Sequence, residues 1–201
     1  ANNELSGPLM ATMLYRHLAS LPHRRYTYRF FFGPETIGAL AYLSLKNQEL
    51  QAKMKCGFIL TCCGDGGPFT FKRPKQPCFG EREVLHVLKH LEHEHCVLDY
   101  FPTGSDDRQY CSPGFNLPVM TLCRSIYARY PEYHTSLDDF GLVTEDAMSV
   151  TFEAYRRLLQ VLEQNHAYRN LKPFGEPFFS KYQLQDTLGG IRDKGLFHRA
   201  L

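Results

Sequence analysis

Apolar positions recur along this chain at two spacings, and the switches between them divide it into elements. Leu9, Met13, Leu14 and Leu18 follow one another at helical intervals, behind the capping residues of Asn2-Asn3-Glu4-Leu5-Ser6-Gly7 and a proline, Pro8, that fits only a first turn. This pattern predicts a helix to about Ser20. Tyr26 to Phe32 is aromatic and alternates poorly, the mark of a strand covered on both faces, and it ends at Gly33-Pro34-Glu35-Thr36-Ile37-Gly38. Ile37 to Leu45 reads as a second helix. The apolar run Cys56 to Cys63 predicts another strand, stopped by Gly64-Asp65-Gly66-Gly67-Pro68. Pro68 to Phe71 reads as a short edge strand or an excursion from the main sheet, because Pro74 and Pro77 forbid a long continuation.

Glu81 to Glu92 places Val84, Leu85, Leu88 and Leu91 on one helical face. Cys96 to Phe101 and Leu117 to Cys123 are further strands, and from the cap Thr144 a long amphipathic helix runs to about Asn165 on Met148, Phe152, Tyr155, Leu159 and Leu162. Helices alternating with strands predict an α/β protein, a three-layer α/β/α sandwich with a mixed, mostly parallel sheet. One domain over residues 1–170 is expected, followed by an irregular tail or linker over 171–201, where Pro173, Pro177 and several glycines interrupt any pattern.

The loops at 33–36, 104–110 and 131–139 each follow a predicted strand. If those strands run parallel the loops share one edge of the sheet, where Glu35, Asp106 and His134 would converge. The last loop is the densest in chemistry: Tyr130-Pro131-Glu132-Tyr133-His134-Thr135-Ser136-Leu137-Asp138-Asp139 holds one imidazole among carboxylates and tyrosines. A loop histidine can present one ring nitrogen to a metal while a carboxylate holds the other. His86 and His90 also stand one turn apart, but the glutamate of an H-E-x-x-H motif is missing, and a solvated face is the better reading.

Composition narrows the classes. The 201 residues, 43% hydrophobic and 22% charged, suffice for a sizeable core. A net charge of +2 with scattered Lys and Arg predicts no nucleic-acid partner and no membrane surface. There is neither an apolar run of about 18 residues nor a signal-like start. The seven cysteines are odd in number and show no C-x-x-C pair, so reduced thiols in a cytoplasmic protein are expected.

Several motifs, in this order, resemble the zinc aminopeptidase and glutaminyl cyclase superfamily: Asn3-Glu4-Leu5-Ser6-Gly7, Glu35-Thr36-Ile37-Gly38, Ser105-Asp106-Asp107 with Gly114, and Tyr133-His134-Thr135 with Asp138. Two longer stretches, Pro102 to Gly114 and Pro131 to Ser136, are similar to an aminopeptidase-like domain of bacterial proteins, some linked to polysaccharide biosynthesis. The resemblance covers about Ala1 to Gly190. It implies the zinc-peptidase type of α/β/α fold and a hydrolase cleaving a peptide or amide bond with metal-activated water. His134 matches the last metal-ligand histidine, Glu35 the general base, and Asn3 the place of the bridging aspartate, with Glu4 as its neighbour and Asp138 as a partner behind His134. Tyr133 is expected to reach the oxyanion. Asp106, Asp107, Arg108 and Tyr110 are expected to meet a peptide or aminoacyl substrate. The sequence departs from the family pattern at Asn3, at Thr36 in place of a second glutamate and at Thr61 in place of a ligand aspartate. The first ligand histidine of the superfamily would lie ahead of Ala1. The resemblance therefore implies at most one zinc ion, and the alternative is a ligand-depleted module that binds without catalysing.

Overall fold

A computed structural model describes residues 1–171, 173–175 and 178–182. Two compact units are distinguished, Ala1–Asn165 and His166–Leu201. In the second unit the described residues include a single 3₁₀ turn at Phe179–Tyr182. Most of the expected tail, 171–201, lies outside the described residues.

The first unit is an α/β fold around a four-stranded sheet. Helix α1 (Ser6–Ser20) and helix α2 (Ile37–Lys53) come first, then strands β1 (Gly57–Ile59) and β2 (Phe69–Lys72). Helix α3 (Glu81–His90), strand β3 (His95–Leu98), the single turn α4 (Asp107–Tyr110), strand β4 (Val119–Cys123) and helix α5 (Glu145–Gln164) complete it. The strand order is β1-β4-β2-β3, with β1 parallel to β4, β2 parallel to β3, and β2 antiparallel to β4.

Burial on both faces explains why β4 reads as an unbroken apolar run: all five of its residues are buried. Its side chains alternate between two cores. Met120 and Leu122 join Phe69, Phe71, Leu14, Leu88 and Leu158 beneath α1, α3 and α5. Val119 joins Leu43, Leu50, Tyr110 and Leu117 beneath α2 and α4. Thr144 caps α5 as expected, accepting from the Ala147 amide at 3.2 Å.

Two strand expectations are corrected. The segment expected as an edge is β2, which lies between β4 and β3 and is buried at every residue. Pro74 and Pro77 follow its end at Lys72, so they terminate the strand without taking any amide from its ladder. Tyr26 to Phe32 is no strand of the sheet: it runs without a ladder, and among the described residues no backbone–backbone hydrogen bond involves Thr27 to Gly33. No described helix is long and apolar enough to cross a membrane.

Candidate functional site

The site is assembled where three turns meet. The first is the turn that delivers Glu35. Ile37 N donates to the Glu35 carbonyl at 2.7 Å, and Thr36 between them has φ 62° and ψ −70°. These are the angles of a classical γ-turn, rare and costly for a β-branched residue. Neighbours hold it there. The Thr36 amide donates to Asp106 Oδ1 at 2.8 Å, and Arg108 Nη2 donates to Thr36 Oγ1 at 2.9 Å. Arg108 Nη2 also lies 3.6 Å from Glu35 Oε1. Burial and then the charge of Asp106 push the Glu35 carboxyl above the ordinary glutamate range, while Arg108 and His134 pull the other way.

The second turn delivers His134, also in the left-handed region at φ 57°. Its ring stacks on Tyr133 with centroids 3.9 Å apart and planes 13° from parallel. The third is the start of the chain. Asn3 Nδ2 lies 3.2 Å from His134 Nε2 and donates to Glu4 Oε1 at 2.7 Å. The amide can donate to Nε2 only if that nitrogen carries the lone pair. Asn3, Glu4, Glu35, Asp106 and Tyr133 line one cavity of about 780 Å³.

Asp138 is placed differently from expectation. It accepts the backbone amides of Asn2 at 2.5 Å and Asn3 at 3.1 Å, so it orients the loop that carries Asn3 and does not hold the imidazole. Although partial burial raises its carboxyl, these donors bring it below the ordinary aspartate value.

Asp107 does not line that cavity, whereas Tyr110 does. Asp107 is 1% exposed and pairs at 2.6 Å with Lys72, itself fully buried on β2. Lys72 Nζ further donates to the Thr103 carbonyl and the Tyr127 hydroxyl, both at 3.0 Å, and sits 3.9 Å from the Phe101 ring centre. The aspartate is therefore consumed in fastening the 103–110 loop to the sheet. Tyr110 belongs to the core with Leu43 and Leu117, and burial pushes its hydroxyl up to about 12. Arg108, expected to meet a substrate anion, spends its guanidinium on Thr36 and Glu35.

Sequence reasoning missed a second buried anchor. Asn2 is fully buried; its side chain donates to Asp65 Oδ2 at 2.8 Å and accepts from Gly64 N at 2.9 Å. Asp65 also accepts from Gly67 N and Ser125 Oγ. The only signal was the Gly64-Asp65-Gly66-Gly67 cluster, which reads as a plain turn.

The zinc expectation can be tested on these donors. Among the described residues no group of three or more His, Cys, Asp or Glu side chains is placed to hold a metal ion. Between His134 and Glu4, where a cation would sit, stands the NH₂ group of Asn3. These side chains by themselves do not form a zinc site.

Comparison with known proteins agrees with this architecture. A family model described as a domain of unknown function, DUF4910, matches residues 1–165. A Clostridium acetobutylicum protein, provisionally described as a polysaccharide biosynthesis protein with an aminopeptidase-like domain, is 39% identical over 196 residues. The match takes in 96% of this chain but 44% of that protein. A crystal structure from the same organism, provisionally described as a peptidase, is similar at 38% identity and a TM-score of 0.84, over 90% of this chain and 42% of the other. The Legionella pneumophila LapA aminopeptidase shares the fold at 15% identity and a TM-score of 0.63, over 83% of this chain and 47% of its own. The chain thus spans less than half the length of the relatives it matches. With a family match over residues 1–165 and an aminopeptidase-like homologue at 39% identity, the chain belongs to the DUF4910 family.

Proposed function

We propose that this chain is the peptidase-type part of a hydrolase that cleaves an amino-terminal peptide bond or an aminoacyl amide, with Glu35 as general base. The observation that carries this reading is that Glu35 lines one cavity with Asn3 and Tyr133, the two residues that His134 lies against. A strained turn at Thr36 presents Glu35, and a left-handed turn presents His134. A carboxyl whose proton affinity is raised suits a base that takes a proton from water and returns it to the leaving amine. Arg108 at 3.6 Å keeps that carboxylate oriented. Tyr133, stacked on His134, is the group we assign to the carbonyl oxygen as charge develops there. Asp106 spends one oxygen on the Thr36 amide and keeps the other for a substrate ammonium.

When bound, zinc would acidify the attacking water and polarise the carbonyl. From this chain it would take His134, with Glu4 beside it, and those two alone do not complete its ligand set. The position of the Asn3 amide favours a second reading, a module that binds the amino end of a peptide without cutting it.

Hydrolysis of aminoacyl arylamides with zinc supplied separates the two. For Glu35→Gln the expected result is a kcat lower by at least about 100-fold with KM little changed. Turnover close to that of the unaltered protein would remove Glu35 from the chemistry. A protein that binds such peptides equally well with either residue and never hydrolyses them is the binding module.

A further inference from the structure

Two enclosed cations beside the sheet are treated in opposite ways. Lys72 meets a carboxylate, a carbonyl and a hydroxyl. Arg124 is 6% exposed, and its Nε and Nη1 atoms are enclosed with no hydrogen-bond partner among the described residues. An arginine cannot escape such a position by giving up its proton. Burial pulls this guanidinium below the ordinary arginine range, yet that range lies so far above neutrality that the charge stays. Taking a charge out of water without a partner is among the costliest arrangements in a fold, so a counter-charge is required.

The backbone fixes where the guanidinium points. Arg124 directly follows β4, and its amide donates to the Cys62 carbonyl at 2.8 Å, so the alternation of the strand carries through it. Its side chain therefore leaves the sheet on the face of Leu122, and there the guanidinium carbon lies over the Phe69 ring, 4.4 Å from its centre. That contact spends none of the N–H donors, which lie in the guanidinium plane. The carboxylate whose charge reaches Arg124 is Asp65, and its oxygens are already taken. Oδ1 accepts from Gly67 N at 2.8 Å and Ser125 Oγ at 2.6 Å, and Oδ2 accepts from Asn2 Nδ2 at 2.8 Å. Ser125 N adds contacts to both, at 3.3 Å and 3.2 Å.

We propose that Arg124 is the base of an anion site, in which a small monovalent anion takes the in-plane donors that the protein leaves open. Its source is a free halide or a short carboxylate such as acetate. With so little of the residue exposed, the opening is too small for a nucleotide, and a single positive charge beside Asp65 does not suit a divalent anion. The site sits behind the start of the chain. Ser125, the next residue, holds Asp65, and Asp65 holds Asn2, the neighbour of Asn3. A bound anion would therefore brace the contacts that set Asn3 against His134, whether or not the protein is a hydrolase.

Chloride NMR on this chain tests the proposal, because a halide that exchanges with a site on a slowly tumbling protein relaxes faster. The unaltered protein is expected to broaden the chloride signal saturably. Arg124→Met should cut that excess width by at least about tenfold, the scale of a lost hydrogen bond to a charged group. Acetate separates the two sources: loss of the excess width on adding it shows that a carboxylate enters, and persistence shows a site selective for halide. Should Arg124→Met fail to fold, bromide-soaked crystals of the unaltered protein decide, with an anomalous peak expected against the guanidinium. Equal broadening by both proteins, or bromide at exposed lysines and arginines alone, overturns the proposal and leaves water as the occupant.

Discussion

The floor of the site and its rim are built on opposite rules. In the floor the polar groups are held in pairs: Lys72 meets Asp107, Tyr127 and the Thr103 carbonyl, and Asn2 meets Asp65 and Gly64. At the rim, Glu35 and His134 stand on costly turns, and the carboxyl of Glu35 is held above its ordinary range. A buried, ion-paired floor can bear the strain of a rim that keeps its groups accessible. The difference separates residues whose loss unfolds the protein from residues whose loss leaves it folded and inactive.

The largest effect on stability is expected from breaking the floor. Lys72→Met leaves Asp107 charged and enclosed and should cost about 3–5 kcal/mol in urea unfolding, whereas the double change Lys72→Met with Asp107→Leu should recover much of it. A single-variant loss below about 1 kcal/mol would mean that water already reaches the pair. Next comes Gly7→Ala. A Cβ there would lie 2.0 Å from the Leu60 carbonyl oxygen, so α1 must shift away from the end of β1. The expected cost is about 1–3 kcal/mol, read as a lowered Tm.

At the rim, Asp106→Ala removes the acceptor of the Thr36 amide. Stability should fall by only about 1 kcal/mol, while kcat drops as the γ-turn relaxes and Glu35 swings away. Equal proportional losses in folding and turnover would place Asp106 in the floor instead. The smallest effect belongs to a control far from either. Arg156 and Arg157 hold Glu153 down to about 2 from the usual 4.5. Its contribution is therefore full above pH 4.5 and disappears as pH falls toward 2. Because all three side chains are well exposed, Glu153→Gln should cost no more than about 0.5 kcal/mol at neutral pH and nothing at the acid end.

The elements legible in the sequence were those whose signal is local. The helical spacing of α1 and α3, the Thr144 cap and the apolar run of β4 all carry their own evidence. Pairing partners are not written locally, which is why β2 looked like an edge and Tyr26–Phe32 like a completed strand. The same limit applies at the site. Glu35 and His134 could be picked out from strand-end loops and a family resemblance. Which of the adjacent carboxylates Asp106 and Asp107 faces the cavity could not, because that depends on a lysine 35 residues earlier pointing up from the sheet. Asp138 was assigned to the imidazole because it lies four residues away, but nearer backbone amides claim it.

The central claim is that Glu35 and His134 act on one bound substrate as a unit. A double-mutant cycle on kcat for an aminoacyl arylamide, using Glu35→Gln, His134→Ala and both together, measures this most directly. If the two act together, the double variant is no slower than the slower single one, because losing either partner already disables the step. If the two losses multiply, each residue works independently and the shared site is contradicted.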